Sequence, residues 1–295
     1  MIERFLNPLA LALTLAVLGD VVVERSGVLN LAIDGLFVLC VAVTFSVFVA
    51  TSSPIMALIA VLACGAVLAV VMSMLINVFL ANHVLAGLAM NMVCYGIATI
   101  VGTRFLGRAL PTSLYMDTVT IGVVVALSTA LTWLLLYRTS FGVALRACGY
   151  NPRNAEALGI DVGRTRLVAM LLGYELIALG AFVYLASYVG TWSAGLGTGW
   201  GFLALSLAIA SLWHPVLAPI LATSFAALYV SMVEIQTHPI RIGSVVIKMS
   251  PAMVSAIPFV AALVLVSILY ATPLRRIVSP PRALGEPYFR EERTL

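Results

Sequence analysis

The chain is 295 residues long, 62% hydrophobic and 9% charged, with a formal net charge of +4 and a mean hydropathy of +1.12. Soluble domains carry roughly a quarter charged residues, so this balance excludes a soluble globular protein and reads as an all-α polytopic membrane protein. The positive charge is no nucleic-acid signature, because most of it sits in one internal loop and in the C-terminal tail, where a cytoplasmic flank requires it.

In chain order, apolar spans approach the roughly 20 residues of a bilayer crossing at 5–23, 28–50, 54–80, 84–103, 118–137, 167–189, 202–212, 216–235 and 252–271. The first lacks a basic leader and a small-residue cleavage motif, so it reads as a retained helix. The seventh is short for a crossing unless its flanks join it. Four crossings separate the arginine loop at 138–166 from the arginine tail at 273–295, so both are expected on one side, the cytoplasmic one. Residues 1–272 then form the membrane domain. The N-terminal half holds five spans, or six if a broken helix hides after Val23, which gives about nine or ten helices and leaves the side of the N-terminus open. Arg104 and Arg108 then face outside, a mild departure from the charge rule.

Two stretches read as interrupted helices, Glu24 to Gly35 and the glycine-rich Gly195 to Phe202. Polar and glycine-rich backbone at membrane depth is tolerated where it is buried in protein or lines a cavity. A pair of such breaks, one in each half, points to a transporter's substrate pathway. Asn30, Asp34, Asn91 and Glu175 are the pathway candidates among the polar residues, since intramembrane charge is costly without a partner or water. Each also admits a packing role, a hydrogen bond to a neighbouring helix. Of the aromatic residues, Trp133, Tyr137, Trp192, Trp200 and Trp213 fall near span ends, as an interfacial belt would. Trp200 and Phe202 are credited with ligand contact.

The loop carries Arg146, Arg153, Arg164 and Arg166 against Glu156 and Asp161. Within it Asn151 can cap a short helix, Pro152 can occupy its first turn and Gly159 can end it. Such a helix, held out of a membrane bundle, suits docking, although an ordinary solvated loop has the same composition. Cys40, Cys64, Cys94 and Cys148 lack CxxC spacing and His83, His214 and His238 are scattered, so neither a disulfide framework nor a metal site is expected. There is no P-loop, HExxH or GxSxG motif. The chain is therefore read as no enzyme, and ATP-driven transport would need a separate motor.

Glu24 to Leu31 with Asp34-Gly35 resembles the ERSGVLNLGxEG signature of permease subunits of ATP-binding-cassette (ABC) importers, in the branched-chain amino acid, simple-sugar and nucleoside group. Ala81 to Asn91 resembles RADQIVxGLALN. Arg138 to Pro152 resembles RTxFGLxLRAVGENP, with Ala155 to Gly159 following it. Gly199 to Leu205 and Trp213-His214-Pro215 are similar to GxGFIALA and GxWNP, and Pro281 to Tyr288 resembles the PxALGxPY tail of nucleoside-type permeases. The ordered matches run from 24 to 288. The resemblance implies that residues 151–159 form a coupling helix seated in an ATPase subunit: Asn151, Pro152, Arg153, Asn154, Ala155, Glu156, Ala157 and Gly159, with Arg146 and Arg153 flanking. It implies alternating access of a small polar solute, most readily a nucleoside, with ribose-like sugars or branched-chain amino acids as alternatives. It also implies cytoplasmic ABC ATPases that use ATP and magnesium, a second homologous permease and an extracytoplasmic substrate-binding protein. The chain itself would bind no cofactor and no nucleic acid, and would lie in the cell membrane with its C-terminus cytoplasmic. Asp34 stands where the pattern has Glu; Tyr174-Glu175, Ser211 and His214 are further departures. An ion-coupled secondary transporter using Glu24, Asp34 and Glu175, and an intramembrane enzyme, are the competing classes.

Overall fold

The computed structural model describes residues 2–237 continuously, then 240–242, 245–247, 280–288 and isolated positions between 250 and 271. The ninth expected span, 252–271, therefore lies largely outside the described residues. The helices are α1 (Ile2–Phe5), α2 (Pro8–Arg25), α3 (Ile33–Thr51), α4 (Pro54–Ser73), α5 (His83–Gly102), α6 (Thr118–Arg138), α7 (Ser140–Tyr150), α8 (Pro152–Ala157), α9 (Val162–Val183), α10 (Trp200–Ala210) and α11 (Leu217–Thr237). A short antiparallel hairpin, β1 (Ile240–Ile242) and β2 (Val245–Ile247), follows. Helices α4 and α9 each finish in a π-helical turn, Met74–Val78 and Tyr184–Val189.

Most of the starts are written locally. Asn7, Ser53, Asn82, Asp117, Thr139, Asn151 and Asp161 each turn a side-chain oxygen onto a backbone N–H of the turn that follows. Such a cap satisfies an otherwise orphaned donor and contributes about 1 kcal/mol. Two helices, α3 and α10, begin without a cap of their own. They are the two that follow the interrupted stretches.

The centre of the bundle is α2, with every residue from Leu9 to Glu24 buried. A helix that is apolar on all sides must be enclosed by others, and α9, α11, α10 and α6 pack around it. It approaches α9 through facing glycines: a Cβ on Gly19 would collide with the Gly173 carbonyl, and one on Gly180 with that of Ala12. Small residues at such a crossing let the backbones touch, which is how membrane helices gain packing when lipid is as apolar as Leu. The outer helices show the opposite pattern. Val119, Val123, Leu127 and Leu131 form one exposed apolar row on α6, and Leu85, Met92 and Ile100 another face on α5. Exposed apolar area on this scale suits a hydrocarbon surrounding and not water.

Six helical stretches are long and apolar enough to cross a membrane among the described residues. Helix α2, which carries Asp20, Glu24 and Arg25, lies at their centre. Helix α10, at 11 residues, is roughly 16 Å long and spans only half a bilayer. The segment before it completes that crossing. Trp192 packs on Phe45 at one end of the bundle, while the Trp213 and Leu212 carbonyls meet the Arg25 guanidinium at the other (2.9 and 3.2 Å). Gly149 of α7 abuts the Arg25 carbonyl, so α7 and α8 lie at the same end as the close of α2. Arg4 pairs with Glu234 at 2.8 Å, which sets the first residues beside the end of α11, one crossing away.

Candidate functional site

The two broken helices meet at their N-termini. After α2 ends, residues 26–32 fold back along it, so that the Asn30 amide reaches Asp20 Oδ1 (2.9 Å) more than a turn above Arg25. Helix α3 starts there. Its uncapped Gly35 N–H donates to Asn91 Oδ1 from α5. Helix α10 starts against the same point: the Asp34 carboxylate accepts from the N–H groups of Gly201 (2.7 Å), Gly199 (3.0 Å) and Phe202 (3.2 Å). The Tyr95 hydroxyl donates to the same carboxylate. Gly199 takes φ +89°, a backbone state that Gly adopts without strain. A Cβ on Gly201 would run into the Asp34 backbone, and one on Gly35 into Asn91. A helix N-terminus carries partial positive charge, and here one acidic side chain caps the neighbouring helix instead of its own.

Below this clasp lies a second polar group. Asn30 N–H faces Glu24 Oε1 at 3.4 Å, the Tyr174 hydroxyl donates to Asn30 Oδ1 at 3.1 Å, and the Trp213 indole N–H donates to Glu24 Oε2 at 2.5 Å. All five residues, Asp20 included, are buried. They tie α2, the 26–32 fold-back, α9 and the turn after α10 together.

Asp34 and Asn91 thus come together at the clasp, and Asn30 lies in the polar group beneath it. Trp200, the first residue of α10, packs between the rings of Tyr184 (5.5 Å) and Tyr229 (5.2 Å). Phe202 is 38% exposed on the same helix. Glu175 is elsewhere: it is half-buried in α9, and its Oε2 has no hydrogen-bond partner among the described residues. Asp20 and Tyr95 escaped the sequence reading, and Tyr174 stood in it only as a departure from the family pattern. Trp213 stood there as a belt residue, yet it is 3% exposed and donates to Glu24. A signal for Asp20 was present, a carboxylate four residues before Glu24 on one helix face.

Beside the clasp, towards the Trp192 end, a half-open cavity of about 340 Å³ lies between α3, α5 and residues 192–198. Tyr95, Thr99, Trp192, Leu196 and Thr198 line it with Val38. Phe45 braces the Trp192 ring at 5.5 Å, and the loop from Gly107 to Leu110 holds that segment by backbone hydrogen bonds, among them Gly107 N–H to the Trp192 carbonyl at 3.1 Å.

At the opposite end stands α8. Asn151 Oδ1 accepts from the Asn154 N–H at 3.0 Å and Pro152 follows at the first turn, while Gly159 closes the helix with φ +87°. Ala155 is buried against Cys148 and Val162, leaving Arg153, Asn154 and Ala157 exposed and Glu156 half-exposed. Burial pushes the Cys148 thiol up from its usual range. Arg146 turns away from α8: its guanidinium lies over the Tyr137 ring at 4.9 Å and its Nε donates to the Gly142 carbonyl. The described part of the tail is packed under this unit. Ala283 N–H donates to the Gly149 carbonyl and Gly285 N–H to that of Gly27, each at 3.0 Å. The Arg282 guanidinium covers the Tyr150 ring at 4.7 Å, and Tyr288 packs on the Cys148 cluster. Among the described residues no group of three or more His, Cys, Asp or Glu could hold a metal ion.

The sequence profile of the family described as branched-chain amino acid transport system / permease component matches residues 1–266. The chain is 27% identical to a guanosine ABC transporter permease protein of Bacillus subtilis over 70% of its length and 74% of that protein. It is 26% identical to a putative glucose ABC transporter permease protein of Haloferax volcanii, over 70% of this chain and 69% of the other. A nucleoside ABC transporter permease protein of Lactococcus lactis is 36% identical over a shorter stretch, 29% of this chain and 27% of that protein. No solved structure matches the chain.

Proposed function

The chain belongs to the permease-component family of branched-chain amino acid transport systems, and we propose that it is the membrane-spanning permease subunit of an ABC importer that carries a nucleoside. The observation that carries this reading is α8, a capped helix set outside the bundle and keyed into it by Pro152 and Ala155. A motor outside the membrane needs a rigid handle, and a floppy loop would dissipate its stroke.

In this reading Asn151 to Gly159, with Arg153, Asn154 and Glu156 at the contact surface, seat in a cytoplasmic ATPase. ATP and magnesium act in that subunit. A second, homologous permease completes the path, and an extracytoplasmic binding protein delivers the solute. The protein lies in the cell membrane with 138–166 and 273–295 on the cytoplasmic face, following their arginines. Transport follows alternating access, with the clasp of α3 and α10 at the mid-membrane point where the two sides are closed from one another. The nucleoside assignment is supported by the guanosine and nucleoside permeases among the relatives.

The test is the whole importer in proteoliposomes. Arg153→Glu reverses the charge on the exposed face of the handle, and is expected to lower ATP-driven uptake about tenfold while the complex stays assembled. Binding-protein-stimulated ATP hydrolysis should lose its dependence on solute. Unchanged uptake and unchanged stimulation in that complex would refute the role of α8.

A further inference from the structure

The 340 Å³ cavity beside the clasp holds information on what passes, and the inference drawn from it rests on the permease reading above. We infer that this cavity is the outer solute subsite, that it takes a neutral solute with a flat ring, and that Trp192 and Tyr95 are its recognition surface.

The chemistry of the lining carries this. Two aromatic rings, Tyr95 and Trp192, face the space together with the hydroxyl side chains Thr99 and Thr198 and the apolar Val38 and Leu196. None of the described lining residues is charged. An amino acid zwitterion brings a carboxylate and an ammonium, and each needs an ionic or multiply hydrogen-bonded partner once it leaves water. This cavity offers no such partner, which disfavours the branched-chain amino acids suggested by the family's name. Rings stack on aromatic side chains irrespective of which base they are, and hydroxyls suit a sugar. Pockets for small ligands span roughly 300–1,000 Å³, so this volume suits a solute the size of one nucleoside.

The position gives the subsite a consequence. The Tyr95 ring lines the cavity, and its hydroxyl is bound to Asp34, which holds the start of α10. A solute that shifts the Tyr95 ring therefore acts directly on the clasp between the broken helices. Trp192 is set from behind by Phe45 and by Gly102, where a Cβ would penetrate the indole. The indole is thus held rigidly in the cavity wall, 5% exposed.

The test uses the full importer in proteoliposomes carrying Ala194→Cys, an exposed position on the cavity lining, with the parent complex as the labelling background. Labelling by a membrane-impermeant maleimide is followed in the presence of adenosine, guanosine, ribose, glucose or leucine. Adenosine and guanosine are expected to slow it about fivefold or more, the sugars less, and leucine not at all. In parallel, Trp192→Ala, which removes one wall of the space, raises the KM for nucleoside uptake about tenfold, and Trp192→Phe restores most of it. Protection by leucine but not by nucleosides overturns the inference. So does a complex that accumulates nucleoside while no solute changes the labelling, although that outcome leaves the permease reading standing. A complex showing no ATP-dependent uptake of any of these solutes defeats the permease reading itself.

Discussion

Replacing Asp34 by Ala removes the acceptor for three backbone N–H groups at the start of α10 and for the Tyr95 hydroxyl. Two scales bound the cost. In water-soluble proteins each bond to a charged group contributes about 1.5–3 kcal/mol, which would make the clasp worth about 6–12 kcal/mol, as much as a whole protein's stability. Within membranes, interhelical bonds average about 0.6 kcal/mol, because the unfolded chain also finds partners. The membrane scale governs here, so the four bonds together come to about 2–3 kcal/mol. Unfolding of the purified chain by titration with SDS in mixed micelles measures this directly. Proteinase K cleavage within 190–199 should accelerate in parallel, since that segment loses its anchor. Asp34→Asn retains one oxygen but turns an amide N–H onto that of Gly199, so it should fall near Asp34→Ala. Asp34→Glu keeps the charge and adds one methylene at a tight crossing, a cost of about 1 kcal/mol. Stability of Asp34→Ala within about 0.5 kcal/mol of the parent, with unaltered cleavage, would refute the clasp.

Gly201→Ala forces a Cβ into the Asp34 backbone. It should cost about 3 kcal/mol in the same titration, by overpacking, and reduce uptake; a neutral result would mean that α10 does not press on α3. Ala283→Glu places a charge at a position 2% exposed between Gly149 and Gly27. It should release the tail and with it Tyr288 from the Cys148 cluster, so that maleimide labelling of Cys148 at neutral pH rises about tenfold as the thiol gains water and its ordinary acidity. Equal labelling in variant and parent would show that the tail does not cover that cluster.

Much of this architecture was legible because local rules wrote it. The spans at 54–80, 84–103 and 118–137 correspond closely to α4, α5 and α6, since their boundaries carry Ser53-Pro54, Asn82 and Asp117 as caps. The short helix after Asn151 followed from the same signals. Residues 140–150 read as loop but form α7, whose buried stripe of Gly142, Leu145 and Cys148 is too short to stand out beside the membrane spans. The breaks were visible as glycine and polar runs, yet their pairing was not. No local pattern reports that Asp34 caps a helix starting at residue 200, and the only mark on Tyr95 is its place one turn after Asn91 on α5. Glu175 was singled out because a carboxylate in an apolar span is conspicuous, a property that does not depend on whether it faces the break or another helix. The resemblance supplied the ATPase and binding-protein partners, which composition alone could not.

One continuous set of contacts links the two ends of the bundle. Ala155 of α8 packs on Cys148 of α7, and Gly149 of that helix abuts the close of α2. From there Arg25 holds the Trp213 and Leu212 carbonyls while Glu24 holds the Trp213 indole, so that the lower end of α10 is fixed to α2. The upper end of α10 is fixed to Asp34, and through Tyr95 to the wall of the outer cavity. Helix α10 is thus a half-membrane strut clamped at both ends by acidic side chains on different helices. A strut of this kind resists bending but pivots where its clamps release. Of the two clamps, the upper one joins buried Asp34 to the buried Gly201 and to the partly exposed Gly199 and Phe202, and the lower one joins buried Glu24 and the part-buried Arg25 to the turn at Leu212 and Trp213. Both clamps join α10 to helices on which it packs, so a shift of α2 or α3 is passed to α10 at one end or the other.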